Sequence, residues 1–259
     1  MKEPDNDRWN ISPQNFIFEL RTRSIYLLFK PVAEIHRRKT EREKKKKEEE
    51  EMDVARVIVD KRFCAPYPVD LTIVRKVMRL TAGNFVITDV NGDMLFKVKD
   101  PVFGLHDKRI LLDGSGSSVL NMREKIVSLH HRWQVFRGVN KEPEDLLYTV
   151  KRSSMIQFKT KLDVFLSHNK EEKSCDFRVK GSWSQSSCVI YLGESDTIIA
   201  EMNKNDTLKS VLFGKDNFSV TVYPNVDYAF IASLIVILDD VDRDAAAIAS
   251  TASNLAGFI

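Results

Sequence analysis

Apolar and polar positions alternate over short stretches through most of the chain, and turn-forming residues separate these stretches. Alternation with a period of two residues is typical of strands that bury one face. About a dozen or slightly more segments fit this pattern: Leu71–Met78, Asn84–Val90, Asp93–Lys99, Arg109–Leu112, Val119–Met122, Trp133–Arg137, Leu146–Lys151, Lys161–Phe165, Asp176–Val179, Cys188–Leu192, Thr197–Met202, Ser210–Phe213 and Phe218–Val222. Many short strands predict a sandwich or a barrel. The dipeptide Asn91-Gly92 predicts a type I′ hairpin turn, with positive φ at both positions.

One stretch breaks the alternation, because Tyr228–Leu238 (YAFIASLIVIL) is apolar everywhere except at Ser233. As a helix it spans roughly 16 Å, well short of the ~20 residues that cross a bilayer. A helix that is apolar all round must be buried on every side, so we predict a β-sheet closed around it. Asn225 or Asp227 is suited to cap its start. The alternative is a single buried strand of about eight to ten residues, longer than most.

The acidic run Asp239–Asp244 follows this stretch directly. Carboxylates at the C-terminal end of a helix oppose its dipole. We therefore predict that the helix ends before the aspartates and leaves them in water.

Length and composition allow one large β domain with tails: the chain has 259 residues, of which 43% are hydrophobic. We predict a charged, largely disordered extension over residues 1–55 and a barrel domain over 56–242, with its central helix at about 225–238. Residues 243–259 form an Ala-rich tail, either a frayed helix or disordered. The charged N-terminus is unlike a signal peptide. Three scattered cysteines favour reduced thiols in the cytosol or nucleus.

The basic excess of the chain lies entirely in its first part. Residues 1–62 carry 16 Lys and Arg against 13 Asp and Glu, and the remainder carries 24 of each. Nonspecific nucleic-acid binding depends on neutralising phosphates. We therefore expect no strong nucleic-acid binding by the globular part.

No arrangement of residues typical of catalysis is found, so the sequence predicts no enzyme, no cofactor and no metal site. The most suggestive chemistry is basic, because residues 151–180 hold eight Lys and Arg against four Asp and Glu. If strand pairing brings them to one face, these cations are suited to receive an anionic lipid headgroup. The candidate residues are Lys151, Arg152, Lys159, Lys161, Arg178 and Lys180. The alternative is that they are the solvated side of a sheet.

Several motifs closely resemble the plant LURP-one-related family. They are CAPYP at 64–68, GNFVITDVNG at 83–92, PVFGLHDKR at 101–109, RWQVFR at 132–137, DFRVKGSW at 176–183 and VTVYPNVDYAFIASL at 220–234. The resemblance covers roughly residues 55–242. It implies a mainly β fold, a closed twelve-stranded β-barrel enclosing a central hydrophobic C-terminal α-helix. This fold is similar to the Tubby C-terminal domain and to phospholipid scramblases.

The resemblance also implies a class of function, because such proteins are thought to be membrane-tethered factors and one branch is associated with plant defence. We expect a non-enzymatic module that binds anionic membrane lipid, a phosphoinositide, in stress or defence signalling. The alternative is a protein-interaction scaffold without lipid binding. The expected location is cytoplasmic, peripheral at the plasma membrane or shuttling to the nucleus, with no transmembrane span. The protein partners are unknown.

Overall fold

The computed structural model describes residues 37–39, 42, 56–76, 84–99, 108–125, 132–156, 159–182, 187–203 and 217–256. The chain divides into two compact units, Met1–Glu51 and Met52–Ile259. In the first unit, residues 37–39 and 42 are helical. The second unit contains the barrel and the site described below.

The second unit is a closed antiparallel β-barrel of twelve strands in its described residues. Each strand pairs with the next in sequence, and the first closes the barrel against the last. The strands are β1 (Val69–Lys76), β2 (Asn84–Thr88), β3 (Met94–Lys99), β4 (Lys108–Asp113), β5 (Ser118–Lys125), β6 (Arg132–Arg137), β7 (Leu146–Ile156), β8 (Lys159–Leu166), β9 (Phe177–Ser182), β10 (Ser187–Leu192), β11 (Ile198–Asn203) and β12 (Asn217–Val222). Short 3₁₀ helices occupy Lys61–Phe63 and Pro143–Asp145. The helix α1 spans Tyr228–Ala256.

The predicted strands coincide with observed strands in every segment that the structure describes, and the predicted closed barrel is confirmed. The predicted segment Ser210–Phe213 lies outside the described residues. The predicted turn type at Asn91-Gly92 is wrong, because in this turn only Gly92 has positive φ, at 89°. Its N–H donates to the Asp89 carbonyl, and the Asp89 N–H donates to the carbonyl of Asp93. This is a three-residue loop with Gly in the left-handed position, which needs one positive φ rather than two.

The apolar part of α1 runs through the middle of the barrel. Side chains from Ala229 to Leu238 are at most 1% exposed. They pack against the inward-facing residues of the strands, of which Trp133, Tyr148 and Phe85 are the largest. Phe230 meets the rings of Tyr148 and Phe177 at centroid distances of 5.1 and 4.9 Å. The closed sheet therefore takes its core from the helix, as the apolar run predicts.

The single polar residue of that run also has a partner inside the barrel. Ser233 forms a hydrogen bond with the Tyr148 hydroxyl and donates to the Phe230 carbonyl at 2.5 Å. Burial raises the pKa of Tyr148 far above its usual range. This tyrosine is therefore a neutral structural group at any ordinary pH.

The helix continues well beyond Leu238, where the sequence prediction placed its end, and runs to Ala256. The prediction that the following aspartates lie in water is wrong: Asp239 is 0% and Asp240 is 5% exposed. The barrel wall supplies the missing positive charge, because Arg109 on β4 is also buried at 5% exposure. An arginine 131 positions away in sequence therefore balances a buried carboxylate that lies within the helix rather than at its C-terminal end.

The course of α1 distinguishes the two mouths of the barrel, the proximal rim and the distal rim. At the proximal rim, β12 ends and α1 begins. At the distal rim, α1 leaves the barrel and contacts Arg109 near the start of β4, Thr160 near the start of β8 and Ser182 at the end of β9.

A segment ahead of β1 covers the proximal rim. Arg56 pairs with Val226, Cys64 pairs with Asp227, and the Arg137 guanidinium donates to the Val59 carbonyl. Asp227 caps α1, as predicted, and also anchors this segment. Its carboxylate accepts five backbone N–H groups at 2.7–3.3 Å, those of Ile58, Val59, Asp60, Ala229 and Phe230.

Candidate anion-binding surface

The six predicted lipid-binding residues lie on three adjacent strands: Lys151 and Arg152 on β7, Lys159 and Lys161 on β8, and Arg178 and Lys180 on β9. Strand pairing brings most of them to the outer face, in two cross-strand rows. One row runs from Lys151 through Asp163 to Arg178. The other pairs Lys161 directly with Lys180. The side chain of Lys159 lies outside the described part of the molecule.

Lys151 belongs to an ion-pair cluster centred on Glu172 in the turn between β8 and β9. The Glu172 carboxylate accepts two hydrogen bonds from Arg132, at 3.0 and 3.2 Å, and a further one from Lys151. Burial acts to raise the pKa of Glu172, but hydrogen bonds from Lys151 and Arg132 outweigh it and keep the pKa below its usual value. The charge of Lys151 is therefore largely balanced within the protein.

Arg178 is balanced in the same way. Its Nε lies 3.2 Å from the Asp163 carboxylate, and its Nη2 pairs with Glu194. The side chain is only 12% exposed, and the Cys175 sulfur lies 3.3 Å from the same Nη2. Arg178 therefore serves mainly as a structural tie between β8, β9 and the turn after β10.

Lys161 and Lys180 are different, because neither forms an ion pair with any other residue that the structure describes. They are opposite each other on β8 and β9, an arrangement that costs stability for like charges. Lys180 is exposed, and its Nζ lies 4.7 Å from the centroid of the Tyr191 ring. Of the predicted patch, this pair offers the cationic groups that remain available to an external anion.

Arg152 lies at a β-bulge beside this pair. The register of β7 against β8 shifts between Arg152 and Ser154, so that Arg152 is opposite Leu162 and Ser154 is opposite Lys161. Bulges commonly re-aim a side chain or locally interrupt pairing. Arg152 is half-buried. Its position places a third cation next to the Lys161–Lys180 pair.

Strand pairing adds to the same outer face several cations that the charge count along the sequence did not single out. They are Lys99 on β3, Lys108 on β4, Arg123 and Lys125 on β5, and Arg132 on β6. Like-charge partners face each other at Lys108–Arg123, Lys125–Arg132 and Arg132–Lys151. By contrast, β2, β10, β11 and β12 contain no Lys or Arg. The alternation within β4 and β5 was a usable signal, but only the register shows which cations meet.

A second group of charged residues is buried at the distal rim. Arg109 Nη2 donates to Asp240 at 2.9 Å, and Arg243 contacts both Asp240 and Asp239. Burial raises the pKa of Asp240 to about 6, although Arg109 and Arg243 oppose the shift. Buried ionisable groups often mark functional sites, but structural networks produce the same signature.

The neighbouring Asp242 favours the structural interpretation of this group. It accepts hydrogen bonds from Thr160 at 2.5 Å and Ser182 at 3.1 Å, on β8 and β9. Together, Asp240 and Asp242 tie α1 to three strands. We infer that this group of charged residues holds the helix in the barrel.

The described residues lack two kinds of arrangement. They contain no group of three His, Cys, Asp or Glu side chains placed to hold a metal ion. Their helices include none with the length and apolar character needed to cross a membrane.

Comparisons with known proteins agree on one family. The sequence model of the LURP-one-related family matches residues 69–239. The Arabidopsis thaliana protein LURP-one-related 15 is 72% identical over 188 residues, covering 73% of this chain and 87% of that protein. The Arabidopsis protein LURP1 is 59% identical over 202 residues, covering 78% and 98% respectively. An Arabidopsis crystal structure aligns with a TM-score of 0.58 at 63% identity, covering 72% of this chain and 98% of that one.

Proposed function

The chain belongs to the LURP-one-related family, and from the charges on its barrel we propose that it is a non-enzymatic module that binds anionic membrane lipid. The observation that carries the proposal is the directly opposed pair Lys161–Lys180, which forms no salt bridge among the described residues. Glu194 interacts first with Arg178, and Lys161 contributes only a minor part of the lowering of its pKa. Facing cations repel each other when no anion is present. A phosphate group placed between them removes that repulsion and gains charge-assisted hydrogen bonds.

The expected interaction is weak, reversible and sensitive to salt. A Lys or Arg near an anionic membrane surface contributes about 1 kcal/mol. Lys161, Lys180 and Arg152 together therefore supply only a few such increments, and a headgroup with several phosphates strengthens each of them. This favours a phosphoinositide over a lipid with one negative charge. Exposed charges are screened over roughly 8 Å at physiological ionic strength, so binding should weaken as salt rises.

In this proposal the protein acts in the cytoplasm, attaches peripherally to the plasma membrane and takes part in plant stress or defence signalling. Release from the membrane would leave it able to move to the nucleus. The support for this cellular role is family membership alone. Binding, rather than catalysis, is the proposed activity.

The test is co-sedimentation of the full chain with phosphatidylcholine vesicles, with and without a few per cent phosphatidylinositol 4,5-bisphosphate, at low and physiological salt. Binding should require the phosphoinositide and should be lost in the Lys161→Ala/Lys180→Ala variant. The matched control is Lys170→Ala/Lys173→Ala, which removes the same charge from the exposed turn of the same hairpin. Equal binding by the two double variants would refute the assignment of the site.

A specific observation favours the second candidate, a protein-interaction scaffold. Near the proximal rim, several apolar side chains are exposed: Val57 (47%), Tyr67 (64%), Val90 (60%), Met94 (44%) and Val139 (66%). Val90 and Met94 belong to one hairpin, that of β2 and β3, and exposed apolar side chains of this kind are suited to contact another protein. If the chain binds no vesicles at either salt concentration, the scaffold becomes the leading function.

A further inference from the structure

We propose that Lys99, Lys108 and Arg123 form a second anion-binding site, which takes a phosphate monoester group. Lys108 and Arg123 are directly opposed on β4 and β5. Lys99 on β3 is opposite Ile110, two residues along β4 from Lys108. Such diagonal neighbours lie about 7–8 Å apart, which is within reach of long side chains. Three cations therefore share one small area of the outer face.

No acid balances this group within the described residues. None of the three side chains forms an ion pair there, in contrast to the row of Lys125, Arg132 and Lys151 beside it. Arg123 is opposite Gln134 on β6, so the same cross-strand row continues with an uncharged amide. Lys and Arg are donors only, and an amide can also donate. The area therefore offers hydrogen-bond donors to an anion.

The chemistry of these groups matches a phosphate monoester. A guanidinium can bind two phosphate oxygens at once, and a lysine adds a mobile point charge. A phosphate monoester carries about −1.5 to −2 charges near neutral pH, enough to balance two opposed cations. One carboxylate would balance only one of them.

The buried ion pair of the distal rim holds this site in place. Arg109 points into the barrel and pairs with Asp240, and its Nη1 also donates to the carbonyl of Lys108 at 3.2 Å. The backbone that presents Lys108 outward is therefore fixed from inside. A fixed backbone lowers the entropy that binding must overcome.

The site is separate from the Lys161–Lys180 pair. The two pairs are four strand positions apart in the barrel order, which is about 19 Å along the sheet at ~4.8 Å per strand. One headgroup does not span that distance. The ion-paired cluster of Arg132, Lys151 and Glu172 also lies between them. This inference is therefore independent of the proposed function at Lys161 and Lys180.

Calorimetric titration of the full chain with soluble inositol 1,4,5-trisphosphate tests the site, and vesicles carrying phosphatidylinositol 4,5-bisphosphate form a parallel arm. In the Lys161→Ala/Lys180→Ala background, which lacks the first proposed site, adding Lys108→Ala/Arg123→Ala should weaken binding of the soluble probe at least about tenfold, since a hydrogen bond to a charged group is commonly worth that much. The Lys170→Ala/Lys173→Ala variant should bind the probe as the native chain does. Loss in the vesicle arm alone would also support the site and would identify a membrane lipid as the source of the phosphate.

A stability measurement separates a binding role from a structural one. Lys108→Glu places opposite charges on β4 and β5, so it should raise the midpoint of thermal unfolding by about 1–2 °C while abolishing binding at this site. In the Lys161→Ala/Lys180→Ala background, the probe should raise the midpoint when Lys108 is present and leave it unchanged in Lys108→Glu. Unaltered binding by Lys108→Ala/Arg123→Ala in both arms, or the absence of any binding by the native chain, would overturn the proposal. The Lys161→Ala/Lys180→Ala result in the vesicle arm reports separately on the proposed function.

Discussion

The central helix has a buried carboxylate at each mouth of the barrel, and the two mouths satisfy that charge differently. At the proximal rim, the hydrogen bonds to the Asp227 carboxylate come from five backbone N–H groups. At the distal rim, Asp240 depends on two arginine side chains, Arg109 and Arg243. Backbone donors are held by the local chain path, whereas a side-chain partner must be ordered from several rotatable bonds.

This difference has consequences for stability. Hydrogen bonds to the Asp227 carboxylate work against the rise that burial causes in its pKa. A buried ion pair gains less, because the cost of removing two charges from water can exceed their attraction. The proximal rim should therefore act as a permanent anchor, and the distal rim should respond more strongly to pH and to the loss of a single partner.

The largest loss of stability should come from a substitution in the apolar part of α1, which lies between the two mouths. Leu234 is fully buried in the middle of the apolar part of α1, so Leu234→Asp places an unpaired charge inside the barrel. The cost is several kcal/mol, comparable to the whole stability of a domain. Circular dichroism and urea unfolding should show no cooperative transition. Leu234→Met is the control, with an expected loss below about 1.5 kcal/mol. A Leu234→Asp protein that unfolds cooperatively would contradict the placement of the helix in the core.

The next effect concerns the distal rim. Arg109→Leu leaves the Asp240 carboxylate buried without its strand partner, and such a change typically costs about 3–5 kcal/mol. The double variant Arg109→Leu/Asp240→Leu removes both charges and should lose much less than the sum of the two single changes. Urea unfolding at neutral pH provides the comparison. Lys99→Leu removes a positive charge from the exposed face of the neighbouring strand and should change stability by at most about 0.5 kcal/mol. Additive losses in the double variant would show that Arg109 and Asp240 do not interact.

At the proximal rim, Asp227→Ala should cost about 2–4 kcal/mol, because it removes a helix cap and leaves N–H groups of the helix and of the segment ahead of β1 without their acceptor. Asp227→Asn keeps one acceptor oxygen and should lose clearly less. Hydrogen exchange at Val59 and Asp60 reports directly on the covering segment. We expect faster exchange at both amides in Asp227→Ala. Unchanged exchange there would mean that Asp227 is not what holds the segment.

The contrast between the mouths also explains which features could be predicted from the sequence. Asp227 was predictable as a cap, because the acceptor and its helix N–H donors are two and three residues apart. The partner of Asp240 was not, since Arg109 becomes its neighbour only when the barrel closes around the helix. The rule that acids avoid helix C-termini therefore led to a wrong end for α1.

The same limit applies to the surface site. The charge count over residues 151–180 identified the candidate cations, including Lys161 and Lys180, without showing which of them share a face or a cross-strand row. Only strand pairing shows that Glu172 and Glu194 neutralise neighbouring members of the predicted patch. It also brings together Lys108 and Arg123, which belong to different strands. The number of cations can be counted from the sequence, whereas the cross-strand register determines which of them remain available to bind an anion.

The smallest and most discriminating effect is the pH dependence of the distal rim. The pKa of Asp240 is raised from its ordinary value to about 6, chiefly by burial. A carboxyl whose folded pKa exceeds its unfolded pKa binds its proton more tightly when folded, so its contribution to stability falls as pH rises from about 4 through 6. At about 1.4 kcal/mol per pKa unit, the fall amounts to up to about 3 kcal/mol. Asp240→Asn lacks this group.

The free energy of unfolding of the native chain, minus that of Asp240→Asn, should therefore decrease between pH 4 and pH 7 and then level off. Carboxyls with lowered pKa values, such as Glu172, make stability rise with pH. Their contributions are the same in the native chain and in Asp240→Asn, so they cancel in this difference. The cost of Arg109→Leu should grow over the same interval, because Asp240 needs its cation only when ionised. A difference that stays constant with pH would show that Asp240 is ionised throughout. Arginine side chains at the distal rim would then satisfy a buried carboxylate as fully as backbone N–H groups do at the proximal rim.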